Sequence, residues 1–91
     1  MRILLIDSSF IEIFTSFSSP GRWAFHWERK HIDGTIFRHD NIPHKSWKAI
    51  NSFPWHFHNK SEQNVENSNF TENPIENLRK FFNIVIKTIK K

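Results

Sequence analysis

Residues 22–30, from Arg22 to Lys30, alternate clearly, with a large aromatic at every second position from 23 to 27. Trp23, Phe25 and Trp27 fall on one side of an extended chain. Arg22, Ala24, His26 and Glu28 fall on the other, because successive strand side chains point to opposite faces. A strand that carries three large aromatics on one face needs a second layer to cover it. The residues that follow, His31-Ile32-Asp33-Gly34, predict a tight hairpin in which Gly34 takes a positive φ at no steric cost. Residues 35–40 then return as the partner strand. With a three-residue loop over 32–34, Glu28 faces Arg38, His26 faces Asp40, and Phe37 and His39 join the aromatic face. A slip of one residue would reverse every assignment on that strand.

The covering layer is legible at the C-terminus. Asn73 can cap a helix, Pro74 suits its first position, and Glu76 completes a box-like pattern. Ile75, Leu78, Phe82, Val85 and Ile89 recur at helical spacing, whereas Arg79, Lys80, Asn83, Lys87 and Lys90 lie off that stripe. Two further strands are expected over 3–6 and 10–17, separated by the turn signal Asp7-Ser8-Ser9. Residues 41–64 lack periodicity and contain Pro43 and Pro54, so they are expected as a long loop, the kind that tends to be functional in a small domain. Val65 to Ser68 could add a last short strand. The expected fold is α+β: one domain over 1–91, with an antiparallel sheet of four to five strands packed against a C-terminal helix at 74–90.

Composition narrows the setting. A 91-residue chain buries only about 60–65% of the surface it exposes when unfolded. It has no cysteine to staple it, which fits a reducing cytoplasm. No stretch approaches the roughly 18 apolar residues of a spanning helix. The four-residue apolar run at Ile3–Ile6 is too short for a signal peptide. Thirteen Lys/Arg against nine Asp/Glu give +4, and the thirteen residues from Arg79 onward carry five basic residues and no acid. Such a surface suits nucleic acid or an acidic protein, and it equally suits a helix end complementing its own dipole.

Six histidines is a high number, and five of them sit in three short segments. These are Phe25-His26-Trp27-Glu28, Arg38-His39-Asp40-Asn41-Ile42-Pro43-His44 and Ser52-Phe53-Pro54-Trp55-His56-Phe57-His58. In this order they resemble the TumE family of toxin–antitoxin toxins. The resemblance is carried by His26-Trp27, Asp33-Gly34, Arg38, Asp40-Asn41, Pro43-His44, Phe53-Pro54, His56 and His58, followed by a polar stretch and a helix after a proline. His39 stands where the family has Trp, Ile42 where it has Ala, and Trp55 where it has the first His of a tandem. Family members tend to carry a further N-terminal segment as well.

The resemblance implies the toxin half of a two-component module, held in check by a cognate antitoxin. By analogy with other small toxins built from an antiparallel sheet and a helix, it also implies an action on RNA. Metal-free RNA cleavage needs a base for the 2′-hydroxyl proton, an acid for the leaving oxygen and a cation for the phosphorane. Histidine titrates near neutrality and serves either role. The expected catalytic set is His26, His44, His56 and His58 as acid/base groups, Arg38 as phosphate clamp and Asp40 as the carboxylate that orients a histidine. Trp47 or Trp55 would stack a base.

Other readings of the same residues stand beside this one. His56 and His58, at i and i+2, share a side if extended, and with His44 or His26 they would suit zinc. His26 with Asp40 could be a structural pair, Glu28 with Arg38 a cross-strand ion pair, and Asp40-Asn41-Ile42-Pro43 a plain turn. The chain could also act without catalysis, by binding a target, its antitoxin or a second copy of itself.

Overall fold

The computed structural model describes residues 1–16, 18, 21–43 and 49–90. Among them, six strands form one antiparallel meander in sequence order: β1 (Arg2–Leu4), β2 (Phe10–Thr15), β3 (Trp23–Arg29), β4 (Thr35–Asp40), β5 (His56–Lys60) and β6 (Val65–Asn67). A four-residue helical turn, α1 (Lys30–Asp33), joins β3 to β4, and α2 (Pro74–Ile89) follows the sheet. The fold is therefore α+β with a C-terminal helix as expected, but the sheet has six strands rather than four or five. The extra strand is β5, inside the stretch 41–64 expected as loop. Its alternation is hard to see locally because His56, Phe57 and His58 are all bulky.

Alternation sorts the two faces. Ile11, Ile13, Phe25, Trp27, Phe37, Trp55 and Phe70 pack with Phe81 and Val85 of α2 into the core. Trp27 lies flat on Phe37, and Phe25 meets Phe70 edge-on. The Trp27 indole N–H donates to Ser9 Oγ at 2.9 Å, so this fully buried ring keeps its one polar atom paired. His39 joins this face, stacked between Phe57 and Phe70 with ring centroids 4.1 and 3.8 Å away.

The β3–β4 connection differs from the tight loop in one instructive way. Arg29 pairs with Thr35, His26 with Arg38 and Ala24 with Asp40. This register lies two residues from the expected one. The turn takes a full helical turn plus Gly34, whose φ is 79°. Asp33 Oδ1 accepts the Thr35 N–H and hydroxyl, and the Arg29 Nε donates to Asp33 Oδ2 at 3.0 Å, holding the longer turn in place. A two-residue shift leaves the faces unchanged. It does replace the expected partners: Glu28 does not face Arg38, and His26 does not face Asp40.

Helix α2 starts as its sequence requires. Asn73 Oδ1 accepts the N–H groups of Ile75 and Glu76, both at 3.1 Å. Its buried stripe is rotated from the expected one. Asn77, Phe81 and Val85 face inward with Leu78 and Phe82 at the margins, and Ile75 is exposed. Asn77 turns the helix this way by exchanging two hydrogen bonds with the Thr71 main chain, at 2.8 and 2.6 Å. The opposite face of the sheet is left uncovered by α2. No helix among the described residues is long and apolar enough to cross a membrane.

Candidate active site

Strand pairing draws two adjacent ranks across the face opposite α2. Ala24, Asp40 and His56 align in one, and His26, Arg38 and His58 in the next. The inward turn of Trp23, Phe25, Phe37 and His39 forces Ala24, His26, Arg38 and Asp40 outward. The same rule puts His56 and His58 side by side, with ring centroids 4.9 Å apart. Five of the six residues expected from the sequence thus come together: His26, Arg38, Asp40, His56 and His58. The sixth, His44, lies outside the described residues, as does Trp47. Trp55 is buried among Phe25 and Phe70 on the helix side, so it packs tilted and edge-on against core rings rather than on a base.

A cleft of about 480 Å³ opens over these ranks, lined by Ala24, Arg38, Asp40, Ile42, His56 and His58 with Glu62 at its rim. Asp40 is its centre. Its Oδ1 lies 3.0 Å from His56 Nε2 and accepts the Ile42 N–H at 3.1 Å. Its Oδ2 accepts Arg38 Nε at 3.2 Å and lies 3.8 Å from His58 Nε2. Burial pushes the Asp40 carboxyl up, but the hydrogen bond and charge of His56, the Ile42 N–H and Arg38 outweigh it and hold it below the usual carboxylate range.

The two imidazoles sit in different electrostatic states. His56 Nδ1 is 3.0 Å from the Pro54 carbonyl and its Nε2 faces Asp40, so both ring nitrogens meet acceptors. That is the hydrogen-bonding pattern of an imidazolium. Burial works against the charge, but Asp40 and the Pro54 carbonyl prevail and raise the pKa. His58 Nδ1 donates to the Glu62 carbonyl at 2.9 Å, which makes Nε2 the lone-pair nitrogen. Burial, with Arg38 and His56 nearby, lowers its pKa despite Glu62 and Asp40. His26 stands at the edge, its Nε2 3.2 Å from Glu28 and its Nδ1 3.4 Å from Arg38 Nη1.

Glu62 is the charged cleft residue that sequence reasoning missed. It grips the outer fork of Arg38, with Oε1 2.8 Å from Nη1 and Oε2 against Nη2. Nothing in the polar stretch around it distinguishes this carboxylate from its neighbours. Only the β5–β6 turn swings it over β4.

The same centre has the makings of a metal site. One donor atom each from Asp40, His56 and His58 lies within 4.8 Å of the others. Both imidazoles are oriented by backbone carbonyls through Nδ1, as metal-bound histidines commonly are. Arg38 competes with any cation for Asp40 Oδ2.

The profile of the family described as toxin TumE matches residues 1–89, nearly the whole chain. The chain belongs to the TumE toxin family. Neither a curated protein nor a solved structure matches it. Membership places this chain among toxins of the toxin–antitoxin kind, which implies a cognate antitoxin. In this TumE-family chain, two of the three motif segments supply Arg38, Asp40, Ile42, His56 and His58 to the cleft, and His26 of the other stands at its edge beside Arg38.

Proposed function

We propose that this TumE-family toxin is a small endoribonuclease whose site is the Arg38–Asp40–His56–His58 cleft. The observation that carries this is convergence. Two imidazoles of opposite protonation tendency, a guanidinium and a carboxylate line one cleft on the face of the sheet opposite α2, with Asp40, His56 and His58 themselves buried in its walls. Environments that push two titratable groups apart assign the acid and the base.

His58 Nε2 takes the proton of a ribose 2′-hydroxyl. The 2′-oxygen attacks the adjacent phosphorus, and the bond to the 5′-oxygen breaks. His56 Nε2–H, swung from Asp40 Oδ1 to the substrate, protonates that leaving oxygen. The products are a 2′,3′-cyclic phosphate and a 5′-hydroxyl, with no co-reactant. Arg38 holds the phosphate oxygens with its planar fork once Glu62 yields it. Asp40 stabilises the His56 imidazolium, and His26 supports Arg38 from the side.

The test is cleavage of RNA by purified toxin in excess chelator. His58→Ala and His56→Ala should each lower the rate by about 10²–10⁴-fold, the usual contribution of a general acid or base. Circular dichroism of both variants reports whether the fold persists. Arg38→Lys, which keeps the charge and loses the fork, should cut kcat/KM as well. Full activity in all three folded variants would remove the site.

A second reading rests on the donor set of Asp40, His56 and His58. With zinc bound there, the toxin would be a metal-dependent hydrolase, a metal-held water replacing the imidazole base. Stoichiometric zinc in untagged protein, lost in the His56→Ala/His58→Ala variant together with activity, would establish it.

A further inference from the structure

The rank that crosses the site continues onto β2. Pairing sets Phe14 beside Ala24, Ala24 beside Asp40 and Asp40 beside His56, all on the face opposite α2. At about 4.8 Å per strand, Phe14 stands roughly 10 Å from Asp40. Only the methyl group of Ala24 lies between them in that rank. A second hollow, of about 250 Å³, opens there between Phe14, Ser16, Arg22 and Ala24. Ala24 and Ile42 line both this hollow and the Asp40 cleft, so the two adjoin.

Phe14 is 53% exposed on the face of the sheet opposite α2 and, among the described residues, stands outside the core cluster. The wall opposite is built rather than loose. Arg22 Nη1 donates to the Asn41 carbonyl at 3.0 Å, and the Asn41 side chain bridges Trp23 N and the Gly21 carbonyl. A cationic wall, an exposed aromatic and a small floor beside the cleft that holds Arg38 match what a nucleotide presents around its own phosphate.

We propose that this hollow is a nucleobase subsite that takes the base flanking the scissile phosphate, stacked on Phe14 over the Ala24 methyl. The proposal rests on the RNA-cleaving reading of the adjacent cleft and names the part of the substrate that positions it. Base–aromatic stacking tolerates every base, so the polar groups at the rim, Arg22 and Ser16, set the preference, and they read only a base that Phe14 holds against them. Phe14 is then a specificity and affinity residue, and the proton transfers remain with His56 and His58.

The experiment uses full-length toxin and short RNAs that differ in the base on either side of the cleaved bond. Phe14→Ala should raise KM about tenfold, the scale of one lost base stack, and flatten the base preference. The pH profile of kcat should not move. Phe14→Trp should restore KM, and since Phe14 is exposed, neither variant threatens the fold. Unchanged KM and preference in Phe14→Ala would overturn the subsite while leaving the RNA-cleaving reading intact.

A second measurement separates the two claims. Binding of an uncleavable 2′-deoxy oligonucleotide is followed by backbone amide shifts at 14–16 and 22–24. If no RNA is cut but this binding weakens tenfold in Phe14→Ala, the subsite stands and the cleavage reading falls. If the oligonucleotide does not bind, or binds wild type and Phe14→Ala alike, the subsite is overturned.

Discussion

His39→Phe should stabilise this protein, and by more at acid pH than at neutral pH. His39 is 2% exposed. Its Nδ1 lies 2.7 Å from Ser68 Oγ, while its Nε2 is buried without a hydrogen-bond partner among the described residues. Phenylalanine keeps the stack between Phe57 and Phe70 and removes both nitrogens. Removing the unpaired atom relieves about 1–3 kcal/mol, and losing the Ser68 bond costs about 0.5–1.5 kcal/mol. Ser68 Oγ still accepts the Phe70 N–H. The net gain is on the order of 1 kcal/mol at pH 8, about 4–8 °C in Tm for a domain of this size.

The second contribution is linkage. Burial, with His56, His58 and Lys80 nearby, overrides Asp40 and pushes the imidazole from 6.5 down to about 3. The folded state therefore holds His39 neutral while the unfolded chain binds a proton. A depressed folded pKa means that this stability is fully present above pH 6.5. It is lost at about 1.4 kcal/mol per pH unit as pH falls toward 3. At pH 5 the wild type has given up about 2 kcal/mol that the Phe variant keeps, so the gap widens to about 3 kcal/mol. The other titrating groups are common to both proteins and cancel in the difference. Urea unfolding of both at pH 8, 6 and 5 is the assay. Parallel pH slopes would refute the neutral buried imidazole. A less stable Phe variant at pH 8 would show that Nε2 has a partner.

Three further outcomes follow from the site and the helix. RNA cleavage should trace a broad bell. Its acid limb lies below the ordinary histidine value of about 6.5, where His58 becomes protonated, and its alkaline limb lies above it, where His56 loses its proton; a single limb would mean that only one histidine titrates in catalysis. Glu62→Ala should lower KM for RNA by roughly two- to fivefold, the worth of a partly exposed ion pair, because the carboxylate competes with substrate for Arg38; a raised KM would make Glu62 a binding group instead. Asn73→Ala should destabilise the fold by about 1 kcal/mol, since it unpairs two N–H groups at the start of α2, as measured by chemical denaturation; an unchanged midpoint would show that water replaces the cap.

Several features were readable without coordinates because they are local. The alternation of Trp23, Phe25 and Trp27 fixes which way Ala24 and His26 point, whatever the strand pairs with. Asn73-Pro74 marks a helix start by chemistry confined to one turn. The i, i+2 spacing of His56 and His58 puts them on one side once the segment is extended. The helix stripe was only half legible. Asn77 looks polar, yet its two bonds to Thr71 bring it inside and leave Ile75 in solvent.

Sequence by itself determined the two faces, the helix and the shared side of His56 and His58, since each depends on a periodicity or a motif carried by neighbouring residues. Tertiary structure alone decided the partners. A register shift of two residues is silent in an alternating pattern, so only the helical turn Lys30–Asp33 could set Ala24, and not His26, beside Asp40. The burial of Trp55, the grip of Glu62 on Arg38 and the hollow beside Phe14 depend on segments far apart in the chain. Contacts of that kind arise from how whole strands and turns pack, and no short window of sequence records them.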